Sequence, residues 1–295
     1  MNKTVEIIGS QMDLGAVRKG VDMGPLAIRH AGLCKTIKEL GYTVIDHGDV
    51  VLDVPENEGN PRMRYAKEVN AANAKLYDKV LESAKNKNFP LIIGGDHSIA
   101  AGSIPAVADA NGPIGVIWID AHGDFNDENI TPSGNMHGMP LSAVCGKGPD
   151  EMVAFTRARI APQNVVLIGS RLLDPEEQIK LKNCGVTVFS ISDVHSAGIT
   201  EIMHSAIEIA SKGTNGIHLS FDMDALDPSE APGVGTPVNN GLTLREAFIA
   251  CEFIHKSGKL LSMDLVETNP LLDIRNRTGI LAVDIIATAL GGTNY

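Results

Sequence analysis

Short apolar runs rich in β-branched residues punctuate the chain: TVEIIG, YTVIDHG, FPLIIGGD, IGVIWIDAH, NVVLIGSR, VTVFSI, GIHLSFDMD and LLSMDLVE. Each has the length of a strand. Between them lie longer segments with apolar residues at helical spacing, notably PLAIRHAGLCKTIKEL, RYAKEVNAANAKLYDKVLESAK, ITEIMHSAIEIASK and TLREAFIACEFIHKSG. Strands alternating with helices predict an α/β fold with a mostly parallel sheet of about eight strands. The runs are apolar almost throughout, so both faces of the sheet are covered. That pattern favours an open three-layer α/β/α sandwich over a closed eight-unit barrel.

No repeat, low-complexity tract or Pro/Gly/Ser-rich linker interrupts this rhythm, and a single domain spanning 1–295 is the simplest organisation. With 295 residues and 43% hydrophobic content the chain can bury a sizeable core. The formal net charge of −11 argues against nucleic acid and anionic membrane as partners, and suits a cationic ligand. The start MNKTVEIIGS lacks the apolar stretch of a secretory signal, and the apolar run ILAVDIIATAL is short and interrupted by Asp284. Cys34, Cys145, Cys184 and Cys251 are widely spaced without a C-x-x-C pair. Free thiols and a cytoplasmic location are the expectation.

Three of the predicted strands end in residues that ligate metals. In WIDAHGDFN, extended backbone would project Asp120, His122 and Asp124 to one side; in SFDMD it would do the same for Asp222 and Asp224; LIIGGDH ends on His97. Any one such residue is more often a cap or turn former, and Asp96 reads as a cap. Three clusters at the carboxyl ends of strands, where open α/β sheets place their functional crevice, point instead to one shared site. Four carboxylates and two imidazoles exceed the needs of one ion. Two ions about 3.5–4 Å apart, holding a water between them, match the set and imply hydrolysis. Oxygen-rich ligation without thiolate fits Mn²⁺ and tolerates other divalent ions.

Charge then narrows the electrophile. Four carboxylates balance two divalent ions, and a hydroxide leaves the centre slightly negative, which repels phosphoesters and attracts a guanidinium. Glu267, near the end of LLSMDLVE, adds a carboxylate able to pair with a planar guanidinium. The loop TPSGNMHGMP contributes His137, with an unperturbed pKa near 6.5, as a candidate proton carrier.

Taken together, GGDHS (94–98), DAHGDFN (120–126), SGNMHGMP (133–140), SFDMDALDPSEAPGVGTPVNNGL (220–242), SMDLVETNP (262–270) and MDLGAVRKGVDMGP (12–25) resemble the ureohydrolase family, and within it the arginases. The resemblance covers nearly the whole chain. It implies an arginase-like sandwich with two Mn²⁺ ions per subunit, on His97, Asp120, His122, Asp124, Asp222 and Asp224. It also implies that Asn126, Ser133 and Asn135 hold a substrate α-carboxylate, that Asp174 sits by the α-amino group, and that Glu177 supports it indirectly. By the same resemblance Glu267 orients the guanidinium, His137 shuttles protons and Thr236 lies near the reacting carbon. A metal-bridging hydroxide would attack that carbon and Asp124 would protonate the departing amine, converting L-arginine to L-ornithine and urea. Leu172 departs from the pattern, since an acidic residue often stands there. The family further implies a homotrimer or homohexamer. Agmatinase and other guanidino or formimino ureohydrolases share the metal core, but the SGN triplet favours a substrate bearing an α-carboxylate. A non-catalytic metal-dependent binding protein is the reading from another class, and loss of His137, Glu267 or a ligand would mark it; all are present.

Overall fold

The computed structural model describes residues 4–293. The strands are β1 (Thr4–Ser10), β2 (Thr43–Val50), β3 (Gly59–Asn60), β4 (Met63–Arg64), β5 (Phe89–Ile93), β6 (Gly115–Ile119), β7 (Val165–Ser170), β8 (Thr187–Ser190), β9 (Ile217–Asp222) and β10 (Leu260–Val266). Eight of them form one sheet in the order β2-β1-β5-β10-β9-β6-β7-β8, with every pairing parallel. All eight runs expected from the sequence are sheet strands. The small antiparallel pair β3/β4 lies outside that expectation.

The helices are α1 (Gly24–His30), α2 (Leu33–Glu39), α3 (Ala66–Lys85), α4 (Ala100–Asn111), α5 (Pro140–Val144), α6 (Pro175–Cys184), α7 (Ile191–Ala197), α8 (Ile199–Ser211), α9 (Leu244–Ser257) and α10 (Arg277–Ala289). They cover the sheet in two layers, each with its own apolar core. Phe89, Leu91, Ile117, Ile119, Val166 and Ile168 pack with α1, α2 and α7 to α10 on one face. Ile92, Val116, Trp118, Val165 and Leu167 pack with α3 to α6 on the other. Alternate residues of one strand thus feed opposite cores, which is why the strands read as continuously apolar.

One difference from the sequence reading has a local cause. PLAIRHAGLCKTIKEL is two helices, because Gly32 adopts φ 100° and ends the first before the second begins. The run ILAVDIIATAL belongs to α10, whose largely buried residues pack beside α9, α1 and α2, and among the described residues no helix is long and apolar enough to cross a membrane, as the sequence leads one to expect.

Candidate metal centre and substrate pocket

The strand order explains why distant motifs share a site. β5, β10, β9 and β6 are consecutive neighbours in the middle of the sheet, and their carboxyl ends deliver His97, Glu267, Asp222 with Asp224, and Asp120. The side chains do not converge through strand alternation, however. β6 stops at Ile119, and the chain past Asp120 leaves the sheet, with Asp124 at φ 48°. Asp224 and His97 lie in single turns of 3-10 helix just beyond β9 and β5. Loop geometry, anchored by hydrogen bonds from the His122 N–H to Asp120 Oδ1 (2.7 Å) and from the Asp224 N–H to Asp222 Oδ1 (2.7 Å), makes the cluster.

Around His97 Nδ1 lie Asp120 Oδ2 (3.1 Å), Asp222 Oδ2 (3.1 Å) and Asp124 Oδ2 (3.2 Å). Around His122 Nδ1 lie Asp224 Oδ2 (3.1 Å) and Asp120 Oδ1 (3.4 Å). Two groups with metal-binding geometry result, His97/Asp120/Asp222 and Asp120/His122/Asp224, and Asp120 belongs to both. The protonation states show what such crowding demands. Burial opposes a charged imidazole, yet the hydrogen-bonded Asp120, Asp124 and Asp222 hold His97 well above its usual pKa. Burial likewise opposes charge on His122, but Asp224 and Asp120 raise it to about 12. Burial, then the neighbouring carboxylates, push Asp222 well above the carboxylate range and Asp124 up to about 6. Asp120 stays below that range because two imidazoles outweigh its burial. Without a cation the cluster gathers protons to relieve its own repulsion. One N–H cannot serve three carboxylates, so the donor set fits divalent cations.

Neighbouring groups hold this set in place. Ser220 Oγ lies 2.8 Å from His97 Nε2, and Trp118 Nε1–H donates to Asp120 Oδ2 at 2.9 Å. Asp96 is a cap, as its sequence suggests. Its Oδ1 accepts from the Ser98 N–H, and its Oδ2 accepts from the Gly15 N–H at 2.7 Å, tying the loop after β1 to the cluster. On the same face of β9 and β10 deeper in the sheet, His218 Nδ1 lies 2.7 Å from Ser262 Oγ, and His218 Nε2 lies 3.1 Å from Asp264 Oδ2. The sequence reading had picked out neither this buried polar stripe nor Trp118 and Ser220.

Glu267, at φ 63°, has its two carboxylate oxygens in different surroundings. Oε1 accepts from the His97 N–H (3.0 Å) and lies 3.0 Å from His137 Nδ1. Oε2 is buried without a partner and borders Gly235. Burial disfavours charge on His137, but Glu267 more than offsets it and lifts the pKa to about 9.

A cavity of about 160 Å³ opens on the cluster, lined by His122, Asp124, Asn126, Ser133, His137, Asp174, Glu177, Asp222, Asp224 and Thr236 among others. A second of about 320 Å³ adjoins it, shares His122, His137, Leu172 and Thr236, and reaches Asn135 and Glu267. Every residue expected at the site from the sequence therefore lines one of these cavities or sits beneath them, as His97 and Asp120 do. Within the pocket Thr236 Oγ1 donates to Asp224 Oδ2 (2.8 Å), and Asn126 Nδ2 donates to Asp174 Oδ2 (3.0 Å). Glu177 Oε1 accepts from the Phe125 N–H (2.8 Å) and Oε2 from the Asp174 N–H (3.2 Å), so it spans the two loops at the start of α6. Burial raises its pKa to about 7.

Comparison with known proteins finds relatives over nearly the whole chain. The arginase of Bacillus subtilis (strain 168) is 42% identical over 293 residues, 99% of each chain. The structure of Bacillus caldovelox arginase at pH 5.6 superposes with a TM-score of 0.95 at 42% identity, covering 99% of each chain. That of Entamoeba histolytica arginase in complex with L-ornithine gives 0.92 at 31% identity, over 99% of this chain and 100% of that one. The family model described as "Arginase family" matches residues 3–291, and with near-complete coverage by sequence and by structure the chain belongs to the arginase family.

Proposed function

We propose that this protein hydrolyses L-arginine to L-ornithine and urea. The observation that carries the reading is Glu267: a carboxylate oxygen, buried and unpartnered, beside a metal-competent cluster. An acceptor left unpaired in a buried site costs about 1–3 kcal/mol, and a guanidinium N–H arriving there would offset that cost. Two divalent cations, Mn²⁺ by the family pattern, would be held by His97, Asp120, His122, Asp124, Asp222 and Asp224, and supply when bound a water of lowered pKa as nucleophile.

The chain's own side chains orient the rest. Glu267 Oε2 accepts from the guanidinium while Oε1 stays with His97 and His137. At the other end Asn126, Ser133 and Asn135 face the α-carboxylate and Asp174 the α-amino group. The Asn126–Asp174 hydrogen bond occupies both groups in the free protein. The substrate carboxylate can accept from the Asn126 amide while its ammonium pairs with the Asp174 carboxylate, and the decarboxylated analogue lacks the first of these contacts, which favours arginine. Addition of water to the guanidinium carbon and cleavage of its bond to the side-chain nitrogen require a proton on the leaving amine. By the family pattern Asp124 would deliver that proton, and His137, which lines the same cavity, would exchange protons with solvent.

The test is urea and ornithine release by the purified, Mn²⁺-loaded protein offered L-arginine or agmatine, with metal content measured on the same sample. Faster urea release from agmatine, or none from either substrate at full metal loading, would overturn the assignment.

A further inference from the structure

Arg171 begins the stretch after β7 and plays no part in the chemistry above. Its guanidinium lies behind the acidic cluster rather than in the cavities. Nη2 donates to the carbonyls of Asp224 (2.7 Å), Val238 (2.8 Å) and Leu226 (3.3 Å). Nη1 donates to Ala225 (3.1 Å) and Gly169 (3.2 Å), and Nε to Asn239 (3.2 Å) and Val238 (3.3 Å). The Arg171 main-chain N–H adds a bond to the Ala121 carbonyl (2.9 Å), inside the Asp120–Asp124 loop.

The side-chain partners fall in three segments that must stay in register. One begins at Asp224, one follows Thr236, and one is the end of β7 itself. The Thr236–Asp224 hydrogen bond spans the first two, so Arg171 fixes the backbone on both sides of it. Five N–H donors in a rigid plane can reach carbonyls in several directions at once, which the single ammonium centre of lysine cannot do.

We propose that Arg171 is a positioning residue: its guanidinium clips residues 224–226 to residues 238–239 and thereby sets Asp224 for the cation shared by Asp120, His122 and Asp224. This rests on the binuclear reading above. The fork geometry is what matters, so a lysine that keeps the charge does not replace it.

Arg171→Lys decides between fork and charge, and Arg171→Gln, a planar donor without charge, is made beside it so that one folded variant suffices. Two readouts are taken. In metal-free protein, hydrogen exchange followed by mass spectrometry is expected to rise in peptides covering 224–227 and 236–242 and to stay at the wild-type level in β5 and β6. In Mn²⁺-loaded protein, bound metal after gel filtration is expected to fall from two ions toward one per chain. The affinity of the weaker site should drop about 10–100-fold, the usual cost of removing an outer-sphere partner, with kcat lowered and KM nearly unchanged. Wild-type exchange and full metal retention in Arg171→Lys would overturn the proposal. A wild-type protein that binds no second ion would sink the binuclear reading, while exchange in metal-free protein still decides the clip.

Discussion

The indole of Trp118 lies flat against the imidazole of His97, centroids 3.9 Å apart and planes within 9°, while its Nε1–H donates to Asp120 Oδ2 at 2.9 Å. One buried side chain thus orients two members of the cluster, one by stacking and one by a hydrogen bond. Trp118→Phe keeps a ring for the stack and removes the donor. We expect about tenfold weaker Mn²⁺ binding and a loss of about 1–3 kcal/mol in the stability of the metal-free protein, from the hydrogen bond to a charged acceptor that is removed. Calorimetric titration and urea unfolding check both, and unchanged affinity would count against the role.

Metal binding should be strongly pH dependent. In the metal-free protein His122 at about 12 and Asp124 at about 6, together with the raised His97 and Asp222, hold protons that cations must displace. Affinity is therefore expected to rise with pH between about 6 and 9. Titrations in buffers of different ionisation enthalpy should report net proton release, and a pH-independent affinity with none would contradict the assigned states.

His137 makes a separate prediction about stability. Its pKa is raised from 6.5 to about 9 by Glu267 in spite of burial. The stability from protonated His137 is then fully present below about pH 6.5 and lost as pH rises through 9. In metal-free protein, His137→Asn should flatten the fall in unfolding free energy between pH 6.5 and 9 relative to wild type. Parallel unfolding curves for the two proteins across that range would refute it.

Glu267→Gln tests the orphaned oxygen. The substituted amide can keep an oxygen toward the His97 N–H but turns an N–H₂ toward the guanidinium, replacing acceptor by donor. Metal content should stay at the wild-type value while kcat/KM for arginine falls at least about 100-fold, the worth of a strong charge-assisted bond. Loss of metal along with activity would place Glu267 in a structural role.

Ser133→Ala addresses the other end of the substrate. Ser133 is exposed at the cavity mouth and its Oγ accepts from the Asn135 N–H at 3.2 Å. If this turn receives the α-carboxylate, KM for arginine should rise about tenfold with kcat nearly unchanged. Steady-state kinetics would show the reverse pattern if the loop serves catalysis instead.

Much of this protein was legible in local sequence because the signals are local. Apolar β-branched runs of six to nine residues identify strands, and ligand-type residues at the ends of such runs point to a crevice. Asp96 read as a cap and proved one, since capping depends on the next two residues. The alternation of Asp120, His122 and Asp124 predicts convergence through strand pleat, whereas backbone that turns out of the strand, with Asp124 at a positive φ, is what brings them together.

What the sequence determined by itself was the number and type of strands in the eight-stranded sheet and the residue types at their ends. Only the tertiary structure decided that β10 and β9 insert between β5 and β6, so that four separate motifs become neighbours. Strand order depends on the packing of whole helices, and no short stretch encodes it. The same holds for Arg171, which donates to main-chain carbonyls more than fifty residues away. Carbonyls are common to every residue type, so such a partner leaves no trace in the sequence until the fold brings it near.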